Sequence, residues 1–245
     1  GTLKGWKAKC DDVIVGDDYK LLKVISFGAV QLGEAVLPTV GAFYFCDKLT
    51  EVSFIDIPDF SKLTKARDMF MGASIFNSPI HHWDMSSITT VESMLEDARA
   101  FNQTIEDWDT SNVTNMSQLF YKAESFNQPI EKWRVANVTN MQMMFKNAKS
   151  FNQPVGGWDT TSVKNMSGMF EDAENFNQDV SSWNVSHVES MNQMFKNAGS
   201  FDQNLSQWKL DEISNIREIF TGSNLSKENY CALMAASADA KWKEN

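Results

Sequence analysis

The stretch FNQPIEKWRVANVTNMQMMFKNAKS, residues 126–150, decides the fold, because closely similar text returns every 25 residues. A Phe opens each of six copies and a Trp follows seven residues later, with no insertion between copies. The two columns are Phe76, Phe101, Phe126, Phe151, Phe176 and Phe201, and Trp83, Trp108, Trp133, Trp158, Trp183 and Trp208. A fixed period of about 20 to 50 residues is typical of stacked-repeat proteins. The sequence therefore predicts an elongated stack of coils.

Three segments can be distinguished within one copy by their hydrophobic period. In the copy that starts at Phe101, residues 101–105 alternate between apolar and polar positions, which predicts a short strand. Trp108 and a run of turn-forming residues follow. Apolar residues then recur at helical spacing, which predicts a short helix over residues 113–123, with Ser111 in the N-cap position. Each coil is thus predicted to be strand, corner, helix and corner.

The residue columns indicate what holds such coils together. Parallel pairing of neighbouring strands, at about 4.8 Å, places identical side chains against each other. We interpret the Phe and Trp columns as the structural core, because a buried Trp supplies a large apolar area while its N–H can reach a corner carbonyl. The Asn and Gln columns beside Phe, such as Asn102 and Gln103, predict amide ladders along the stack.

The chain divides into four regions by its repeat pattern. Residues 1–20 show no repeat and are predicted to form an N-terminal cap. Residues 21–75 are predicted to form divergent coils, because Phe43 precedes Phe70 by 27 residues rather than 25. Residues 76–220 are the regular array, and residues 221–245 are predicted to form a C-terminal helical cap that starts at Ser226.

Composition excludes several classes of partner. The net charge of −10 and the isoelectric point near 4.8 argue against nucleic acid, whose phosphates need a basic surface. The apolar runs are shorter than the roughly 18 residues that membrane insertion needs. Cys10, Cys46 and Cys231 match neither a zinc motif nor a disulfide framework, which leaves a pairing of Cys10 with Cys46 open.

The phrase NVTNMSQLFYKAESFNQPI, residues 112–130, closely resembles the BspA-like leucine-rich repeat family. It is most similar to a 25-residue variant with the pattern VTNMxxMFxxAxxFNQxIxxW, and the match runs from about residue 70 to residue 220. The resemblance implies a leucine-rich-repeat-like right-handed coil stack, with short parallel strands on one face and short helices on the other. It also implies adhesion or protein binding at a cell surface, and it brings no catalytic residues.

No motif in the sequence indicates an enzyme, a metal centre or a cofactor. The three histidines, His81, His82 and His187, occupy positions where other copies carry unrelated residues, which is typical of surface substitutions. Asp84, Asp109 and Asp159 share a column that could offer carboxylates to calcium, but Arg134 interrupts it. A glycan-binding ladder of exposed Trp rings is the less favoured alternative to a Trp core.

The corner after the predicted strand is the most variable exposed position, which makes it the candidate surface for a protein partner. We name this row of residue pairs the corner surface. Its members are His81 and His82, Glu106 and Asp107, Glu131 and Lys132, and residues 156–157, 181–182 and 206–207. The favoured hypothesis is a non-enzymatic adhesion or protein-interaction module, extracellular or on the cell surface. The alternative is an architectural subunit of a large assembly in an organelle.

Overall fold

The computed structural model describes residues 23–24, 43–52, 63–210 and 213–237. Strand β1 comprises Lys23–Val24 and strand β2 comprises Glu51–Val52; they pair in parallel, with Lys23 opposite Glu51. Helix α1 comprises Lys227–Ala236 near the C-terminal end. Ser226 caps α1, as the sequence predicts: its hydroxyl accepts a hydrogen bond from the Asn229 N–H at 3.3 Å. The predicted N-terminal cap, residues 1–20, lies outside the described residues.

Between these elements, successive copies lie one on the next. Single parallel bridges join equivalent residues 25 positions apart, beginning with Lys65 to Thr90 and ending with Ser190 to Asn215. The N–H of Thr114 donates back to the Thr89 carbonyl at 2.9 Å. Each copy therefore hydrogen-bonds its neighbours on both sides through the backbone.

The helix predicted over residues 113–123 is wrong. The chain forms consecutive tight turns over residues 117–122 instead. Alternate amides in this segment, from residue 116 to residue 122, donate to carbonyls of the next copy, as Phe120 does to Met144 at 2.9 Å. The amides between them close turns within their own copy, as Tyr121 does to Gln118 at 3.1 Å. A helix would direct every amide along its own axis and leave none for the neighbouring coil.

Two left-handed residues per copy make these turns possible. Gln118 has φ 57° and Lys122 has φ 60°, and the same pair of positions recurs in each described copy. Glycine occupies one of these positions at Gly72, Gly168 and Gly222. The apolar spacing of three and four residues fits a turn sequence as well as a helix, because each turn also returns a side chain to the interior. The hydrophobic period alone therefore could not separate the two.

The strand predicted over residues 101–105 is also absent, and an amide ladder takes its place. The Asn102 side-chain oxygen accepts from the Asn127 N–H at 2.9 Å and from the Gln128 Nε2 at 3.0 Å. The predicted amide ladder is therefore present: each Asn side-chain oxygen accepts from a backbone N–H and from a Gln side chain of the next coil. It ends at Asp202, which accepts from the Ser226 N–H and from Asn229 at the start of α1.

The core is a stack of aromatic rings. Neighbouring members of the Phe column lie 5.8–6.1 Å apart in nearly parallel planes. A second Phe from the turn segment packs on five of the six, as Phe120 does on Phe126 at 4.0 Å; in the copy of Phe101 this position is Leu95. The less regular copy at the N-terminal side follows the 27-residue spacing, since the Phe43 ring stacks on Phe70 at 5.1 Å. The aromatic stack thus extends from Phe43 to Phe220.

Candidate functional site

The corner surface is formed by one tight turn in each copy. In the second copy the Trp108 N–H donates to the Ile105 carbonyl at 3.2 Å, and Glu106 and Asp107 lie at the tip of that turn. The same turn recurs at every equivalent position from residue 81 to residue 207. Asp107 is exposed and Glu106 is half-buried. The stack therefore presents these pairs as a row, one pair for each coil.

The chemistry of the corner surface changes from coil to coil. His81 and His82 lie edge to face with ring centres 5.4 Å apart. Burial, with a smaller contribution from His81, lowers the pKa of His82 below its ordinary 6.5. Lys132 reaches across to the preceding coil, 3.2 Å from Glu106 and 3.6 Å from Asp107. These two carboxylates, Glu106 first, raise the pKa of Lys132.

The next three corners carry no charge. Their pairs are two glycines, two serines, and a serine with a glutamine, at residues 156–157, 181–182 and 206–207. The Ser182 hydroxyl donates to the Gly156 carbonyl at 2.7 Å. The corner surface thus passes from imidazoles through a mixed-charge patch to small neutral residues.

The Trp column lies directly behind the corner surface, inside the stack. Its six members are 1–4% exposed. The Trp133 Nε1 donates to the Ile105 carbonyl of the preceding coil at 3.0 Å, and Trp108, Trp158, Trp183 and Trp208 make the same bond 28 residues back. A sugar stacks on an exposed ring face, and this column offers none.

The aspartates that could have offered carboxylates to calcium are occupied by local backbone bonds. Asp109 accepts from the Ser111 N–H at 3.0 Å, and Asp84 and Asp159 do the same with Ser86 and Thr161. Hydrogen bonds from these following residues lower the pKa of all three aspartates. In the part of the chain that the structure describes, no group of three or more His, Cys, Asp or Glu side chains is placed to hold a metal ion.

The remaining reactive side chains lie apart from one another. His187 is exposed and lies four copies along the stack from His81 and His82. Its Nδ1 lies 3.0 Å from the Thr161 carbonyl oxygen. Cys46 is buried and disulfide-bonded, whereas Cys231 carries a free, exposed thiol. The proposed pairing with Cys10 falls on a residue outside the described part of the chain.

Sequence reasoning missed a second variable surface, which we name the turn face. It is formed by the mostly polar residues of the tight turns, some exposed and some buried, at residues 92, 93, 96 and 97 and the positions that follow them every 25 residues. Its polar groups bond to one another between coils: Lys146 pairs with Glu171 at 2.7 Å, and Asn197 donates to Asp172 at 2.9 Å. The variation of these columns was a usable signal, but the helix prediction assigned them no common face.

The first coils of the turn face are acidic and partly desolvated. Burial, with smaller contributions from Glu92 and Glu96, raises the pKa of Asp68 to about 6 despite the adjacent Arg67. Burial also raises the pKa of Glu96. Arg67 pairs with Glu92, and Arg99 pairs with Asp97 at 2.8 Å. The charges of Glu92 and Asp97 are therefore compensated within the stack.

The repeat pattern corresponds to a recognised family. The family described as "Mycoplasma protein of unknown function, DUF285" matches residues 40–149 and again residues 129–232, which together cover most of the chain. The chain belongs to this family. No curated protein sequence matches the chain significantly. Within the described ranges, no helix is both long enough and apolar enough to cross a membrane.

Proposed function

We propose that this protein is a non-enzymatic binding module: a leucine-rich-repeat-like solenoid of the BspA-like 25-residue variant, whose corner surface binds a protein partner. One observation carries the proposal. The interior of the stack repeats the same Phe and the same Trp in all six coils, whereas the corner surface in front of it repeats no residue pair. A scaffold needs a constant interior to set its register, and recognition needs side chains that differ along its length.

The solenoid part of the proposal rests on the contacts between copies. Backbone bridges, the amide ladder and the aromatic stack all join residues about 25 positions apart. Each copy thus depends on its nearest neighbours, as expected for a quasi-one-dimensional fold. The tight turns at residues 117–122 support a coil that closes by turns rather than by a helix.

The corner surface is a better candidate than the turn face because its side chains are more exposed: Lys132, although paired with Glu106, is 61% exposed, whereas Lys146 is 19% exposed. Glu131 and Lys132 are exposed, and most corners carry short or neutral residues that are easily desolvated. On the turn face, polar groups such as Glu171 and Lys146 already satisfy each other between coils. A partner would have to replace those bonds before gaining any of its own.

The non-enzymatic part of the proposal draws on the distribution of the histidines. His81 and His82 occupy the first regular corner, and His187 lies in the fifth copy. A nucleophile and its base must lie within hydrogen-bond reach of each other. Three intervening coils separate His187 from the other two imidazoles, so the three histidines do not form one catalytic group.

Site-specific photo-crosslinking on the source cells tests the corner surface. A photoreactive residue is placed singly at Asp107, Lys132 or Ser182, and matched controls carry it at Lys122 and Asn147 on the turn face. We expect one discrete adduct from the corner probes, suppressed by excess unlabelled protein but not by protein with all six corners changed to Ser. Adducts from the turn-face probes alone would contradict the proposal.

The same experiment separates a cell-surface module from a subunit of an assembly. We propose that the protein acts at the cell surface, so a membrane-impermeant label should reach it on intact cells. Adducts that copurify at constant stoichiometry in one intracellular complex, with no surface labelling, would instead support the architectural role.

A further inference from the structure

The coil-to-coil interface contains a row of four amides that is repeated along the stack. In the last complete interface, alternate N–H groups from residue 191 to residue 197 donate to the carbonyls of Asn215, Arg217, Ile219 and Thr221 at 2.8–2.9 Å. The same positions make the same bonds in the preceding copies. The N–H groups of each coil therefore donate to carbonyls of the coil that follows it.

The last coil shows the same row of donors, and nothing in the described chain accepts from it. Its members are the N–H groups of Ile216, Glu218, Phe220 and Gly222. Glu218 and Gly222 have φ 56° and 74°, the same left-handed values as their counterparts in earlier coils. The amides therefore point toward the C-terminal end of the stack, as in every other copy. A row of unpaired backbone donors is a template for another chain.

A largely apolar groove runs beside this row of donors. It has a volume of about 570 Å³ and is lined on the coil side by Leu210, Ile216, Ile219 and Phe220, with the polar Glu218 and Thr221 among them. Residues of α1 that include Lys227, Tyr230 and Met234 line the other side. Phe220 is only partly buried, although its counterpart Phe195 is fully buried under the next coil. Tyr230 is 44% exposed. The groove thus offers apolar side-chain contacts next to the free donors.

We infer that this C-terminal edge binds a segment of a partner protein that adopts the same consecutive turns as the next coil does inside the stack. The segment supplies carbonyls at alternate residues to the four amides and places apolar side chains in the groove. Pairing with free backbone groups at an edge, with side chains in adjacent pockets, is the physical basis of such an addition. The site is separate from the corner surface and does not depend on it.

The groove has room for a single turn segment rather than for another whole coil. Helix α1 packs on the same end of the stack through Leu233, which is 1% exposed. Residues 223–226 connect the last coil to α1 and hold the helix beside that edge. A complete 25-residue coil would have to displace α1, whereas a single turn segment would occupy only the groove between α1 and the amides.

Amide exchange measured by NMR on the full chain tests this inference. The probe is the blocked peptide VTNMQMMFKN, which copies residues 138–147 and carries the carbonyls that meet the same donor row inside the stack. With saturating peptide, we expect exchange at residues 216, 218, 220 and 222 to slow by about tenfold or more. Exchange at residues 191, 193, 195 and 197 should not change, because those amides are already bonded.

A matched pair of variants locates the binding in the groove. Tyr230→Glu places a charge in the groove, and Ala235→Glu places the same charge on an exposed part of α1 away from the groove lining. Peptide affinity, measured by fluorescence anisotropy, should fall by about tenfold or more in Tyr230→Glu and stay the same in Ala235→Glu. Equal losses in both variants would overturn the inference.

Two further outcomes would also overturn it. Slow exchange at residues 216–222 in the free, dilute protein would show that the chain itself already occupies its edge. Protection that rises with protein concentration, without peptide, would assign the edge to a second copy. Substitutions on the corner surface should leave peptide binding intact, which separates a failure here from a failure of the proposed function.

Discussion

Trp133 and Lys132 are adjacent in the chain, but Trp133 belongs to the interior, where the residue type is constant between copies, and Lys132 belongs to the corner surface, where it varies. Trp133 is 4% exposed, stacks on its neighbour Trp108 at 6.3 Å and repeats in all six copies. The Lys132 side chain is 61% exposed, and its position carries a different residue in most other copies. The interior is constant because each side chain must match the same side chain above and below it. The corner surface has no such constraint, so it is free to vary.

The largest expected effect comes from breaking the interior. Trp133→Ala should cost about 3–5 kcal/mol in the free energy of unfolding, because it leaves a cavity in the aromatic stack. It also removes the donor to the Ile105 carbonyl. Since each coil contacts only its neighbours, we expect thermal unfolding to divide into two transitions around the altered coil.

Lys132→Ala is the matched control for that prediction, because it changes the exposed corner surface next to Trp133 and leaves the interior intact. It should change the free energy of unfolding by less than about 0.5 kcal/mol, as most surface substitutions do. Calorimetry of both variants gives the test. A melting temperature that is unchanged in Trp133→Ala would contradict a structural role for the Trp column and favour an exposed binding platform.

The amide ladder gives the next largest effect. The Asn127 side-chain oxygen accepts from the Asn152 N–H at 3.0 Å and from the Gln153 Nε2 at 3.0 Å. Asn127→Ala should cost about 1–3 kcal/mol, because a backbone donor loses its partner. Asn127→Asp keeps the acceptor oxygen, as Asp202 does at the end of the ladder, and should cost less. Denaturant unfolding that ranks Asp below Ala in stability would contradict the ladder.

The left-handed backbone at Gln118 predicts that glycine is more stable there than valine, which is the reverse of their order in a helix. At φ 57°, a β-branched side chain is strained by about 1–2 kcal/mol, whereas glycine is not. We therefore expect Gln118→Gly to be more stable than Gln118→Val by at least about 1 kcal/mol. In a helix the order would be the opposite, because glycine is a poorer helix former than valine. Urea unfolding of the two variants separates the turns from the predicted helix.

The smallest effect concerns pH. The pKa of Asp68 is raised from an ordinary 3.8 to about 6, so the folded state binds this proton more tightly than the unfolded state. Ionisation of Asp68 therefore lowers the free energy of unfolding. This loss is complete above pH 6 and disappears as pH falls toward 4. Asp68→Asn should raise the melting temperature at pH 7 and change it little at pH 4. The same gain at both pH values would contradict this origin.

Prediction from the sequence succeeded where one residue type carries one physical role. The amide columns and the Ser226 cap follow from hydrogen-bonding chemistry that the residues themselves specify. It failed for the turn segment, since spacing at three and four residues suits both a helix and successive turns. That error also hid the turn face, whose residues lie together only if each copy closes by turns that repeat in register.

The sequence by itself determined the 25-residue period, the identity of the stacked columns and the position of each corner. All three follow from periodicity, because equivalent residues in a stack meet residues of the same type. Only the tertiary structure decided where each amide bonds, and hence that the segment after the bridge at Asn115 turns rather than coils into a helix. That choice depends on an acceptor 24 residues away, such as the Asn140 carbonyl for the Met116 amide. The unpaired edge at residues 216–222 depends on the same long-range bond, because an amide is free only when no further coil follows it.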